Sequence, residues 1–396
     1  MSILASVPLA PRDPILGLTE QFVADPRPGK VNLGVGVYLD ETGKVPLLEC
    51  VRTAEQQLAA TATPRGYLPI DGLPAYNAAV RNLIFADSKA VADGRVITIE
   101  ALGGTGALKI GAELLKSSGA RRQVLLSDPS WENHLALFTR AGFEVANYRY
   151  YDPARRGIDI DGMLADLAAA EPGTVVVLHA CCHNPTGYDL SPDQWERVAA
   201  TVVERGLVPF LALAYQGFAQ GIEPDAAVPR RFATLGIPVL VASSFSKNFS
   251  LYGERVGSLS IVAADPAEAG RVLSQVKVAV RTTYSNPPTH GAAMVTKVLG
   301  DPGLRAVWED ELAGMRQRVK AMRQALVDGL VSHGVDDMGF ITDQVGMFSY
   351  CGLTVAQMQS LREQYGVYGT DAGRICVAAL NPGNVGEVAR AIAAVR

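Results

Sequence analysis

The segment SSFSKNFSLYGERVG, residues 243–257, places Lys247 in a serine-rich turn after an apolar run, with Arg255 eight residues on. A lysine held in a pocket forms a Schiff base with an aldehyde once its pKa falls far enough to leave free amine. A nearby arginine can hold a phosphate in a two-pronged grip. Taken alone, a lysine in a polar loop is usually a solvated charge. The reading therefore depends on the segments around it.

Three further segments bear on it. GGTGALKIGAEL puts Gly103, Gly104 and Thr105 at the start of a predicted helix, where free N–H groups and the helix dipole bind anions. Its spacing is not GxGxxG, so a dinucleotide loop is disfavoured. HACCHNPTG sets Asn184 before Pro185, which favours an extended or turn conformation. Its two histidines and two cysteines invite a zinc reading, but they alternate along a strand end and would not all face one way. No metal is expected. DPSWENH offers Trp131, a flat ring able to stack on an aromatic cofactor, although a core tryptophan is the default.

The elements that would carry these residues alternate in type. From about residue 95, β-rich runs such as RVITIEAL, RQVLLSD, TVVVLHACC, LVPFLALAY and IPVLVASSFS are separated by helix-like stretches. That alternation predicts an α/β fold with a mainly parallel sheet covered on both faces. The glycines and polar residues gather just after the strands, where open α/β sheets place ligands. From about residue 300 the pattern changes to one long charged amphipathic helix and then a small α+β region, which the N-terminal segment is expected to join. The predicted division is 1–45 (N-terminal segment and part of a small domain), 46–300 (large domain) and 301–396 (interdomain helix and small domain).

Composition narrows the class. The chain has 396 residues, 48% of them hydrophobic and 19% charged, with 36 basic against 40 acidic residues and a net charge of −4. This is globular, and no block of like charge suggests nucleic acid or an acidic membrane as partner. MSILASVPLAP lacks the basic start of a secretory signal, its first basic residue being Arg12, and no stretch reaches a membrane-span length. Five cysteines without a CxxC spacing suggest reduced thiols and a cytoplasmic location.

Together, SFSKNFSLYGERVG, CCHNPTG and YSNPPTHG resemble, in order and spacing, the class I pyridoxal-phosphate-dependent aminotransferases of fold type I. The resemblance is to the aspartate and aromatic-amino-acid branch, with the bacterial aromatic enzymes nearest. It runs from PRDPILGL and VNLGVGVY through RGYLPIDGL to GMFSYCGL and GRICVAAL, essentially the whole chain. It implies a three-layer αβα large domain, a small α+β domain, pyridoxal 5'-phosphate as cofactor and a homodimer with shared active sites. Lys247 then matches the lysine that holds the cofactor and shuttles the proton. Gly103, Gly104, Thr105, Ser244 and Arg255 match the phosphate cup, and Tyr67 a tyrosine reaching the neighbouring subunit's phosphate. Trp131 matches the ring-stacking residue, and Asn184 and Tyr215 the partners of the cofactor's phenolic oxygen. Arg374 resembles the arginine for the substrate α-carboxylate, and Arg281 one that binds a distal carboxylate across the dimer. Gly36 lies where the small domain closes over substrate.

One position departs from the pattern. LVPFLALAYQGFAQG, residues 207–221, contains no acid, and none lies between Glu204 and Glu223. In the family an aspartate three residues before the tyrosine pairs with the pyridine nitrogen and keeps it protonated; here that position is Ala212. His134 resembles the histidine that supports this aspartate. A buried charge-assisted hydrogen bond is worth about 1.5–3 kcal/mol, so its loss is expected to slow proton transfer by orders of magnitude. The expected function is transfer of amino groups between aromatic (Tyr, Phe, Trp) or dicarboxylic (Asp, Glu) amino acids and 2-oxo acids such as 2-oxoglutarate, impaired or altered by Ala212. The alternatives are a changed outcome on the same cofactor (racemisation, β-elimination or decarboxylation) and a degenerate fold kept for binding.

Overall fold

Seven runs rich in β-branched and apolar residues form one sheet: Val96–Leu102 (β1), Gln123–Asp128 (β2), Glu144–Arg149 (β3), Val175–His179 (β4), Val208–Leu213 (β5), Val239–Ser244 (β6) and Val256–Val262 (β7). Their spatial order is β1-β7-β6-β5-β4-β2-β3. Neighbours pair in parallel except β7, which runs antiparallel to both β1 and β6. The computed structural model describes residues 2–396 apart from 11, 12, 14 and 63. Pro11, Arg12 and Pro14 of PRDPILGL thus lie outside the described residues.

The sheet is buried on both sides. Successive side chains of a strand point to opposite faces, and Phe210 and Leu211 accordingly fall in two separate apolar clusters. Helices complete the three layers: Gly103–Ser117 (α1) packs on β6 and β7, and Pro74–Phe85 on β1. The helix at Pro192–Arg205 carries a capping box between Ser191 and Gln194 and stops at Gly206 in the left-handed region (φ 62°), the arrangement that satisfies both helix ends.

The expected long helix spans Pro302–Ser332. Its buried Trp308 donates from Nε1 to the Asn248 carbonyl at 2.7 Å, tying it to the loop that carries Lys247. Two small strand pairs join distant sequence. Val31–Asn32 pairs in parallel with Val367–Tyr368, and Phe348–Tyr350 antiparallel with Arg374–Cys376. Both ends of the chain therefore meet near Arg374.

β7 was not apparent in the sequence, because its serines read as loop. Each is buried, and each finds a cross-strand hydroxyl: Ser258 with Ser243 at 2.6 Å and Ser260 with Thr98 at 2.8 Å. The pairing removes the cost of burying them.

Candidate active site

A single pocket of about 270 Å³ opens beyond the C-terminal ends of β4, β5 and β6 and gathers most of the residues singled out in the sequence. Lys247, Arg255, Arg374, Trp131, Asn184 and Tyr215 all line it, with Gly36, Gly104, Thr105, Ala212 and Ser244.

One group of residues forms an anion cradle. α1 begins at Gly103, so its first N–H groups have no partner within the helix. Gly103 has φ +66°, and a Cβ there would stand 2.5 Å from the Arg255 guanidinium. Arg255 is itself left-handed (φ 56°) and is steadied by the Tyr252 carbonyl at 3.0 Å and the Ser246 hydroxyl at 3.4 Å. Ser244 ends β6 beside it, its hydroxyl 3.2 Å from that of Ser246. Glycine, arginine, hydroxyls and a helix start converge as a dianion requires.

Lys247 stands next to this cradle. Its Nζ lies 5.4 Å from the centre of the Tyr215 ring. Loss of hydration, and then the neighbouring charges of Arg255 and Arg374, push its pKa down to about 8. Free amine is thus accessible near neutral pH. Burial holds the Tyr215 hydroxyl well above its usual range, and Asn184 Nδ2 donates to it at 3.4 Å. The Asn184–Pro185 peptide bond is cis.

Arg374 is 2% exposed. It donates to the Asn184 side-chain oxygen at 3.0 Å and the Gly34 carbonyl at 2.6 Å, with its guanidinium 4.4 Å from the Phe348 ring centre. Among the described residues its Nε has no hydrogen-bond partner, and neither does Glu132 Oε2, which forms an ion pair with Arg374 at 3.9 Å. A buried arginine that lines a cavity suits a carboxylate ligand. Gly36 belongs to this wall: a Cβ there would meet the Phe348 ring at 2.7 Å.

The floor of the pocket is different. Parallel pairing sets His179, Ala212 and Ala242 side by side on β4, β5 and β6. His134 and Trp131 close it from the start of the helix Glu132–Arg140. Burial keeps His179 neutral, its pKa pushed down to about 4, and holds His134 well below its usual value, with His179 adding to the effect. Ala212 brings no acid to this floor.

Tyr67 and Arg281 do not line the pocket. Tyr67 is 95% exposed, and Arg281 lies on an exposed helix face with its guanidinium turned to Ser285. Of the four residues in the zinc reading, Cys181 and Cys182 approach Asp225 instead of the histidines. Both Asp225 oxygens already accept backbone N–H groups, from Gly217, Ala219, Gln220 and Gly221. Sequence reasoning passed over Glu132 and Ser246 and weighed His179 only within the zinc reading. Glu132 was visible only as the neighbour of Trp131, and nothing local tied it to Arg374.

A lysine-centred pocket with an anion cradle, set at the strand ends of an α/β sheet, defines a cofactor-dependent enzyme class. Residues 28–392 match the class I and II aminotransferases, and the chain belongs to that family. It is 55% identical over 394 residues to the aspartate aminotransferase of Pseudomonas aeruginosa, covering 99% of each chain. It is 50% identical over 388 residues to the aromatic-amino-acid aminotransferase of Escherichia coli, covering 97% of each. The aromatic-amino-acid aminotransferase of Burkholderia pseudomallei, solved covalently bound to pyridoxal phosphate, superposes with a TM-score of 0.97 at 59% identity over the full length of both chains.

Proposed function

We propose that this protein is a pyridoxal-phosphate-dependent aminotransferase acting on dicarboxylic and aromatic amino acids, with a 2-oxo acid such as 2-oxoglutarate as acceptor. The observation that carries the reading is one pocket holding Lys247, with its lowered pKa, together with Arg255 in an anion cradle and the buried Arg374. The residues fit the cofactor. Gly103, Gly104, Thr105, Ser244 and Arg255 would take the phosphate, Trp131 the ring face, and Asn184 and Tyr215 the ring oxygen.

When bound, pyridoxal phosphate supplies an aldehyde that accepts amino groups and a ring that draws electrons from the substrate Cα. The chain's residues do the rest. Lys247 would hold the cofactor through its aldehyde carbon, with loss of water, and would move the proton at the substrate Cα. Arg374 orients the α-carboxylate common to every substrate, and the two-pronged geometry fixes the Cα–H relative to Lys247. Arg281 and Tyr67 reach a second copy of the chain, Arg281 to bind a distal carboxylate and Tyr67 the phosphate. Their exposure and their distance from their own pocket support a homodimer with shared sites. The domain division is 1–45, 46–300 and 301–396, with Gly36 on the closing wall. Five free cysteines support a cytoplasmic setting.

Ala212 makes transamination slow relative to the machinery around it. The uncharged floor also favours one second reading, in which the same cofactor supports racemisation, β-elimination or decarboxylation. A panel of Tyr, Phe, Trp, Asp and Glu with 2-oxoglutarate tests the proposal. Glutamate formed in step with the 2-oxo product of the donor is expected. Products that appear equally without a keto acid would sink the transaminase reading.

A further inference from the structure

The floor of the pocket contains a directional hydrogen-bond chain whose last donor has no partner. The backbone N–H of Asn184 donates to His179 Nδ1 at 3.4 Å, so His179 carries its proton on Nε2. That Nε2 lies 3.5 Å from Ser130 Oγ, which accepts from it. Ser130 has one hydroxyl proton, and its remaining partner is His134 Nδ1 at 3.0 Å. His134 Nδ1 is therefore an acceptor, and its proton sits on Nε2. His134 is 1% exposed and lines the pocket, yet Nε2 has no hydrogen-bond partner among the described residues.

The chemistry of the cofactor says what that N–H meets, an argument that rests on the proposed function. On the pyridoxal ring the phosphate arm and the ring oxygen flank the aldehyde carbon, and the nitrogen lies opposite it. Arg255, Tyr215 and Lys247 account for the first three groups. The nitrogen is left to the row His179, Ala212 and Ala242 and to His134. Two alanines in that row leave open space where a longer side chain would stand. No group facing it is charged: His134 and His179 are the titratable residues there, and both are buried as neutral rings. Out of water, a pyridine nitrogen is held in its neutral form unless an anion or acceptor beside it stabilises the cation.

We infer that His134 donates from Nε2 into the space over Ala212 as the hydrogen-bond donor to the cofactor's ring nitrogen, which this protein holds unprotonated. Ser130 and His179 are positioning residues that fix the tautomer. The site thus exchanges a charged acceptor for a neutral donor, and the ring becomes a weaker sink for the electrons released at Cα. A reaction that needs less of that sink suffers less.

The test is nitrogen-15 resonance of the full-length holoprotein loaded with ring-15N pyridoxal phosphate. At pH 7.5 the resonance is expected in the range of a neutral, hydrogen-bonded pyridine. Ala212→Asp should move it into the pyridinium range. His134→Phe should move it the other way, toward a pyridine without a hydrogen bond, and Ser130→Ala, the milder change, in the same direction by less. A pyridinium resonance in the unaltered protein overturns the inference, as does a resonance that neither His134→Phe nor Ser130→Ala shifts. If no labelled cofactor is retained at all, the proposed function falls first and this inference falls with it.

Discussion

The two ends of the pocket are built on opposite principles. At the anion cradle a cation, hydroxyls and the open start of a helix converge on one place. At the floor two alanines and two neutral imidazoles leave a donor without an acceptor. Electrostatic stabilisation at a reacting centre comes from groups fixed in advance. The contrast therefore separates holding the cofactor from using it. On the function proposed above, the cradle would serve the first and the floor would set the second.

The largest test of that contrast is Lys247→Ala. It should lower single-turnover transamination by about 10⁴-fold, the upper range for a lost general acid–base group, while the cradle still retains the cofactor. Cofactor lost in proportion to activity would break the separation. Next comes Ala212→Asp, which restores a charged hydrogen bond worth about 1.5–3 kcal/mol. It should speed the amino acid half-reaction by roughly 10- to 150-fold, followed by cofactor absorbance. An unchanged rate would mean that the floor does not limit the chemistry.

A third test uses pH. Folding lowers the Lys247 pKa to about 8 from 10.5, so the free amine dominates above pH 8 and is lost as pH falls through it. Capture of pyridoxal phosphate by the cofactor-free protein should slow about tenfold for each pH unit below 8, as the amine protonates. A flat profile between pH 6 and 8 would contradict the assigned environment. The smallest effect is at the complete end. Thr105→Val removes one neutral hydroxyl from a crowded cradle and should weaken cofactor affinity by only roughly 2- to 10-fold, measured by equilibrium titration.

Much of this was legible in the chain because it is written locally. Apolar runs separated by helix-like stretches announced the layered sheet. Lys247 and Arg255 could be singled out because nine consecutive residues of one segment carry both. What escaped was non-local. The serines of β7 look like loop until their hydroxyl partners on two other strands are known. Glu132 looks like a surface charge until Arg374 arrives beside it. The protonated nitrogen of His134 is set by Ser130, His179 and a backbone N–H of Asn184, three contributions from two segments that only the fold brings together. The missing acid at Ala212 was visible at once, but its consequence depended on neighbours that only the fold assembles.

The meeting of both chain ends at Arg374 carries one more consequence. Lys247 and Arg255 are held by a single short connection between adjacent strands of the large sheet, β6 and β7. Arg374 takes its place from the Gly34 carbonyl, 340 residues away, from its own pairing with Tyr350, and from a neighbouring strand pair that joins Val31–Asn32 to Val367–Tyr368. Regions with few, long-range ties open at lower free energy than a central sheet. Under mild denaturant the protein should therefore stay yellow after it has stopped recognising amino acids, so its colour would be a poor guide to whether it still works.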